Sequence, residues 1–120
     1  MSDDSEIYTE YEKETKKILD KMRRSCESLK ERSDKHALTE ILECSHKIRG
    51  VAGMMGYSHL EELAGEMETI SKLLVEGKLE LKPVFTVLLE STNLLAKYIE
   101  TDFEGRDPTL LEKLRKLSNI

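Results

Sequence analysis

The sequence predicts an all-α protein, an antiparallel up-down four-helix bundle with a short fifth helix at the C-terminus. Glu, Lys and Leu dominate the composition and Pro occurs only twice in 120 residues, as is typical of helical domains. Apolar residues recur at spacings of three and four in five segments, which indicates amphipathic helices. The connections are short and therefore favour antiparallel neighbours. We expect a single domain over residues 1–120, with the bundle at about 5–102 and the extra helix at about 107–119.

The first two predicted helices each carry one apolar stripe. The first helix runs from about Ser5 to Lys30, and the second from about Lys35 to Met55. Ser33 or Asp34 stands where a side chain can cap the second helix. The first stripe consists of Ile7, Tyr8, Tyr11, Thr15, Ile18, Met22, Cys26 and Leu29. The second stripe consists of Leu38, Ile41, Ser45, Ile48, Ala52 and Met55, with Leu42 beside it.

A helix stop and a capping pattern define the third helix. Gly56 stands where a left-handed residue would end the second helix. Ser58 is followed three residues later by Glu61, a spacing that predicts a capping box at the start of the third helix. Gly77 is expected to end that helix. Its apolar residues are Leu60, Leu63, Ala64, Met67, Ile70 and Leu74.

Two prolines define the last two helices. Pro83 is expected at the first position of the fourth helix, which runs to about Asp102, since proline suits that position. Asp107 and Pro108 are expected as the cap and first position of the fifth helix. The segment before it, residues 104–108, is the one expected soft joint. The inward residues of the fourth helix are Val84, Val87, Leu88, Leu94, Leu95, Tyr98 and Ile99, and those of the fifth are Leu110, Leu111, Leu114 and Leu117.

Composition and charge exclude several classes of protein. The net charge of −5 argues against nucleic acid as a partner, because phosphate binding needs a basic surface. The sequence contains no run of about 18 apolar residues, the length that a membrane-spanning helix needs. The acidic start lacks a signal-peptide core, so we expect a cytoplasmic protein. Cys26 and Cys44 lack metal-ligand spacing. They are expected as two semi-buried thiols, which we favour over a disulfide or redox pair.

A histidine lies beside two glycines on the second helix. At 100° per residue, Gly50 and Gly53 lie about 40° and 20° around the helix from His46, and Arg49 lies about 60° away. His46 is therefore at the edge of the buried face, next to a bare helix surface. Each interior glycine costs about 0.5–1 kcal/mol relative to alanine. Two explanations for these glycines stay open: a partner protein needs to approach the histidine closely, or the helices need to pack tightly.

The hairpin of helices two and three predicts which residues lie level with this histidine. The two helices are joined around Tyr57, so positions at equal height should have numbers that sum to about 114. By this rule His46 lies level with Glu68, each about 15 Å from the turn at 1.5 Å per residue. Arg49 lies level with Gly65. The sequence therefore predicts an exposed imidazole with a carboxylate across from it and a cation one turn away.

This arrangement suits a nucleophilic imidazole. A neutral imidazole has one N–H and one lone pair, and a carboxylate that accepts from Nδ1–H would leave Nε2 free as the nucleophile. Nε2 could attack a phosphoryl group, with Arg49 and Lys47 balancing its charge. The sequence has no Gly-rich phosphate loop and no metal-binding carboxylate cluster. We therefore expect that the chain binds no cofactor or metal, has no complete active site and is a substrate for catalysis by other proteins.

The segment SHKIRGVAGMMGYSHLEELAGEMETI resembles the core of histidine-containing phosphotransfer (HPt) domains. The likeness is greatest to the N-terminal phosphotransfer domain of chemotaxis histidine kinases, with the motif H-[ST]-x-K-G-x-A-x-x-x-G. His46, Gly50, Ala52 and Gly56 match this motif, and the resemblance covers nearly the whole chain. It implies a five-helix fold in which His46 is phosphorylated and Glu68 orients it.

The resemblance also implies partners. His46 would receive a phosphoryl group from the ATP-binding domain of a histidine kinase and pass it to an aspartate in the receiver domain of a response regulator. The partners would supply ATP and Mg²⁺, and the isolated domain would be monomeric. Whether the chain is free-standing or the N-terminal part of a larger kinase stays open.

The chain departs from the family pattern at three positions. Lys47 stands where Ser or Thr is common, Arg49 where Lys is common, and Gly65 where some chemotaxis members carry a second histidine. These departures motivate an alternative function, a helical scaffold or interaction module that has lost phosphotransfer. A metal-binding or small-molecule bundle ranks lower, because Glu-x-x-His pairs at the required spacing are absent. His36 and His59 are expected to be solvated.

Overall fold

The computed structural model describes residues 2–101 and 104–119, with side chains from residue 6 onward within them. In this part of the chain there are five helices and no strand, which confirms the predicted all-α class. None of these helices is long and apolar enough to cross a membrane. The helices are α1 (Ser2–Leu29), α2 (Lys35–Met55), α3 (Ser58–Val75), α4 (Phe85–Glu100) and α5 (Pro108–Ser118).

The five helices share one apolar core, to which each contributes the inner face of its stripe. The stripe of α1 is buried from Thr15 onward, but Ile7 and Tyr8 are 55% and 49% exposed, so their predicted inward placement is wrong. Because α1 has 28 residues and α2 has 21, the first turns of α1 have less helix surface to pack against. Leu19, which the stripe omitted, is fully buried.

Two glycines end helices as predicted. Gly56 and Gly77 have φ angles of 77° and 74°, the left-handed region that glycine adopts without steric cost. After Gly56 the N–H of Tyr57 donates to the carbonyl of Ala52 at 2.9 Å. This hydrogen bond closes the last turn of α2 and reverses the chain within two residues.

The predicted capping box at the start of α3 is wrong. Tyr57 holds the cap position without a side-chain cap, and Ser58 is already the first helical residue. The physical reason is the short link, because only Gly56 and Tyr57 separate α2 from α3. The N–H of Glu61 donates instead to the carbonyl of Tyr57 at 2.9 Å. At the start of α2, the side chain of Asp34 is the cap, one of the two candidates.

Helix α4 begins later than the sequence suggested. The carbonyl of Leu81 accepts from the N–H groups of Val84 and Phe85, at 2.8 and 2.9 Å. These bonds form a separate turn that contains Pro83, so the placement of this proline at the first helical position is wrong. The helix ends at Glu100, and Asp102, the predicted end, lies outside the described residues.

The segment before α5, which the sequence predicts as a soft joint, makes hydrogen bonds to α3 and α4. Arg106 donates two hydrogen bonds to Glu62 of α3, at 2.8 and 2.9 Å. The hydroxyl of Tyr98 donates to the carbonyl of Gly105 at 2.7 Å. Asp107 caps α5 as predicted, accepting from the N–H of Leu110 at 3.0 Å.

Candidate functional site

The predicted register between α2 and α3 is confirmed by one hydrogen-bonding contact and two close approaches, in residue pairs whose numbers each sum to 114. His46 Nδ1 lies 2.7 Å from Glu68 Oε2. A Cβ atom placed on Gly65 would lie 3.4 Å from Cδ of Arg49, and one on Gly53 would lie 2.8 Å from Oε2 of Glu61. The tight turn at Gly56 and Tyr57 therefore brings residues 22 positions apart in sequence into hydrogen-bonding distance.

His46 is presented at the edge of α2. Its neighbours Ser45 and Ile48 are fully buried, and the helical period turns His46 away from them toward α3. The imidazole is 63% exposed, whereas the Glu68 side chain is 23% exposed. An ionised carboxylate only accepts hydrogen bonds, so the contact at Nδ1 corresponds to the tautomer with its proton on Nδ1. The lone pair on Nε2 is then available.

Arg49 lies in this site, beside both the carboxylate of Glu68 and the imidazole of His46. Its Nε lies 2.7 Å from Oε1 of Glu68, while Nη2 lies 3.4 Å from Nδ1 of His46. The guanidinium is therefore on the Nδ1 side of the ring. Glu68 receives one partner on each oxygen, the imidazole on Oε2 and the guanidinium on Oε1. Lys47 is exposed and takes no part in the contacts among these three residues.

The two glycines near His46 have different surroundings. A Cβ atom on Gly50 would have nothing within 4 Å, whereas one on Gly53 would meet the carboxylate of Glu61. Packing against a neighbouring helix therefore gives no reason for glycine at position 50. The carboxylate near Gly53 is the end of a flexible side chain, so packing is only a weak constraint there. The open surface beside Gly50 leaves the access explanation in place for that residue.

The remaining candidate ligands are dispersed. His36 pairs with Glu40, with Nε2 at 3.4 Å from Oε1, and His59 is exposed. Among the residues with described side chains, no three His, Cys, Asp or Glu are grouped as a metal site would require. Cys26 and Cys44 are free and buried. Burial raises the pKa of both thiols, which keeps them protonated and unreactive.

Sequence reasoning missed the contact between Arg49 and Glu68, although its signal was present. The register rule placed Arg49 level with Gly65, and Glu68 lies one helical turn beyond Gly65 on the same face. A glycine leaves the long arginine side chain free to cross to that next turn. The ion pairs of Arg106 and Arg115 with Glu62 had no comparable signal, because their spacing depends on where α5 packs.

A comparison with protein families adds an independent finding. The family model described as "Hpt domain" matches residues 6–101. The matched segment contains the histidine site and most of α1 through α4, and it ends before α5. No curated protein matches the chain.

Proposed function

Because this chain belongs to the Hpt domain family, whose members are histidine phosphotransfer modules of phosphorelay signalling, we propose that His46 is its phosphoacceptor. The observation that carries this proposal is the 2.7 Å contact between His46 Nδ1 and Glu68 Oε2. It commits one ring nitrogen to a carboxylate and leaves the other as a nucleophile on an exposed side chain. His36 and His59 lack this combination of partner and register.

The proposed reaction uses the two nitrogens differently. Nε2 donates its lone pair to the phosphorus of a donor phosphate, the N–P bond forms and the P–O bond to the leaving group breaks. Glu68 holds the Nδ1 proton and stabilises the positive charge that develops on the ring. In the second step a carboxylate oxygen of the acceptor attacks the same phosphorus, and the N–P bond breaks with its electron pair returning to Nε2.

We further propose the direction of transfer and the partners. The ATP-binding domain of a histidine kinase donates to His46, and an aspartate in the receiver domain of a response regulator accepts from it. In this proposal the partners supply ATP and Mg²⁺. The open surface at Gly50 supports this proposal, because two proteins in turn must bring their active sites to the same imidazole.

The finer features of the fold are proposed on the same grounds. Two observations support an antiparallel arrangement of α2 and α3. The link between them has two residues, and residues that lie level with each other, such as His46 and Glu68, have numbers that sum to 114. Extending this pattern to α1 and α4 gives an up-down four-helix bundle, within one domain of residues 1–120. We also propose that the isolated domain is monomeric and cytoplasmic, and that its motif makes it a chemotaxis-type module.

The phosphoacceptor proposal is tested with a small phosphodonor, so that no cognate kinase is needed. Incubation with phosphoramidate should give one phosphoryl group per chain, stable in base and labile in acid. His46→Gln should abolish this product. His36→Gln and His59→Gln are matched controls, since both remove an exposed histidine, and both should react like the wild type. Unchanged labelling of His46→Gln would refute the proposal, and intact partner binding in that variant would favour the scaffold alternative.

A further inference from the structure

A cavity of about 490 Å³ lies at the end of the bundle where α2 turns into α3, about 15 Å along α2 from His46 at 1.5 Å per residue. All four tyrosines of the sequence line this cavity, namely Tyr8, Tyr11, Tyr57 and Tyr98. We propose that it is a binding site for a small organic cation of the quaternary ammonium class. The proposal goes beyond the function proposed for His46 and does not depend on it.

The four tyrosines come from three different parts of the fold. Tyr8 and Tyr11 lie three residues apart on α1, so they share one face of that helix. Tyr57 is the cap residue of α3, and its ring contacts that of Tyr11, with ring centroids 5.1 Å apart and planes tilted by 39°. Tyr98 is in the last turn of α4, and its hydroxyl donates to the carbonyl of Gly105 at 2.7 Å. The fold therefore gathers aromatic rings that are far apart in sequence around one space.

The charged side chains around the cavity favour a positive ligand. Glu12 and Glu104 line it together with His59, and among the described residues no lysine or arginine does. Arg106, which follows this segment, already donates two hydrogen bonds to Glu62. Helix α3 begins at the cavity, and a helix N-terminus carries about half a positive charge. The two full negative charges of the carboxylates exceed it, so the cavity attracts cations.

The chemistry of the lining selects an organic cation over a metal ion. Among the described side chains, no three His, Cys, Asp or Glu are grouped as a metal site would require. A quaternary ammonium has no N–H to donate, and it binds the negative faces of aromatic rings. Burial, and then the nearby Tyr57 and Glu12, raise the pKa of Tyr11 to about 12, so this ring is neutral at ordinary pH. The volume of the cavity also suits a small organic molecule.

The test compares choline with its neutral isostere 3,3-dimethyl-1-butanol, in which a carbon atom replaces the quaternary nitrogen. Each compound is titrated into the whole chain, and NMR follows the ring signals of the four tyrosines. Choline should shift these signals and bind at least about tenfold more tightly than the isostere, because only choline carries the charge that the rings and carboxylates attract. Equal affinities, or tyrosine signals that choline leaves in place, would overturn the proposal.

The role of the rings is tested at the two most exposed tyrosines. Tyr8 and Tyr57 are 49% and 38% exposed, so substitutions there leave the core intact. Tyr8→Leu and Tyr57→Leu should each weaken choline binding about three- to tenfold, the size expected when one ring face is lost. The matched controls Tyr8→Phe and Tyr57→Phe keep the ring and should bind choline like the wild type. Equal affinities in the leucine and phenylalanine variants would show that the rings do not bind the cation.

The role of the carboxylates is tested against a neighbour on the same helix. Glu12→Gln should weaken choline binding about two- to fivefold and leave binding of the neutral isostere unchanged. Glu14→Gln is the matched control, because Glu14 is an exposed carboxylate that lines a separate groove between α1 and α2, and choline should bind this variant like the wild type. Equal losses in the two variants would mean that only the net charge of the protein attracts choline, which would overturn the site. These titrations use no phosphodonor, so their outcome is independent of the function proposed for His46.

Discussion

Helix α3 carries two clusters in which arginine binds glutamate, and they differ in what they hold. Glu68 faces α2 and binds Arg49 at 2.7 Å together with the imidazole of His46. Glu62 binds Arg106 and Arg115, each at 2.8 Å, and these arginines lie before and within α5. The distances are nearly the same, so distance alone does not distinguish the two clusters.

The difference lies in the third member of each cluster and in its surroundings. Around Glu62 all the partners are arginines, and their hydrogen bonds lower the pKa of this carboxyl to about 2. That cluster stays charged at ordinary pH and fastens the C-terminal segment to α3. Around Glu68 the third member is an exposed imidazole beside an open glycine surface. The comparison teaches that a carboxylate–arginine pair becomes a candidate reactive site when it orients a nucleophile that other proteins can reach.

The largest expected effect separates the two clusters by rate. Glu68→Ala should slow phosphoryl transfer from phosphoramidate to His46 about ten- to a hundredfold, as is typical when the partner that orients a histidine is lost. Glu62→Ala removes the equivalent carboxylate from the other cluster and should leave this rate near that of the wild type. The measurement is the initial rate of phosphorylation, followed by intact mass. Equal losses in the two variants would mean that the clusters do not differ in function.

The sequence predicted the contacts of Glu68 better than those of Glu62, for a physical reason. The contact of His46 with Glu68 follows from a two-residue hairpin, whose register is fixed by local chain geometry. The bonds of Arg106 and Arg115 to Glu62 depend on how α5 docks against α3, which no local pattern encodes. Helix starts were also predicted only in part. At the start of α2 the sequence offered two suitable cap residues, and Asp34 is the one that caps the helix. At the start of α3 the sequence predicted Ser58 as the cap, but Tyr57 is the cap residue. The inward placement of Ile7 failed because periodicity does not show how far a neighbouring helix extends.

The next effect concerns the contribution of the Glu62 cluster to stability. Because the folded pKa of Glu62 is lowered from 4.5 to about 2, its ion pairs contribute stability above pH 4.5 and lose it as the pH falls toward 2. Glu62→Gln should therefore lower the free energy of unfolding at neutral pH by about 1 kcal/mol, since the cluster faces solvent. The difference from the wild type should shrink through this pH range.

Urea unfolding at several pH values measures this difference. Glu112→Gln is the control, because it removes a carboxylate from an exposed pair with Lys116 and should change stability little. If the free energies of unfolding of the wild type and Glu62→Gln differ by a constant amount from neutral pH down to pH 2, the lowered pKa of Glu62 does not stabilise the fold as described.

The smallest effect concerns the open surface beside His46. Gly50→Ala should raise the free energy of unfolding by about 0.5–1 kcal/mol, because a Cβ atom there meets nothing and alanine favours helix. The matched change Gly53→Ala should raise the free energy of unfolding by less, because its Cβ atom would displace the carboxylate of Glu61. Thermal or urea unfolding of both variants measures this difference. Equal gains would remove the distinction between the two glycines.

Partner access is tested at the same position. Gly50→Leu should slow phosphorylation by a histidine kinase more than phosphorylation by phosphoramidate, because only the protein donor needs the surface beside His46. The ratio of the two rates is the measurement. An unchanged ratio would show that the bare surface at Gly50 does not serve the approach of a partner protein.

The most direct test of the central claim is to identify which atom of which histidine carries the phosphoryl group. The claim is that Glu68 occupies Nδ1 of His46 and leaves Nε2 to react. ¹⁵N and ³¹P NMR of the phosphorylated, ¹⁵N-labelled protein should therefore show a single N–P bond at Nε2 of His46. A phosphoryl group on Nδ1 of His46, or on another residue, would contradict the account.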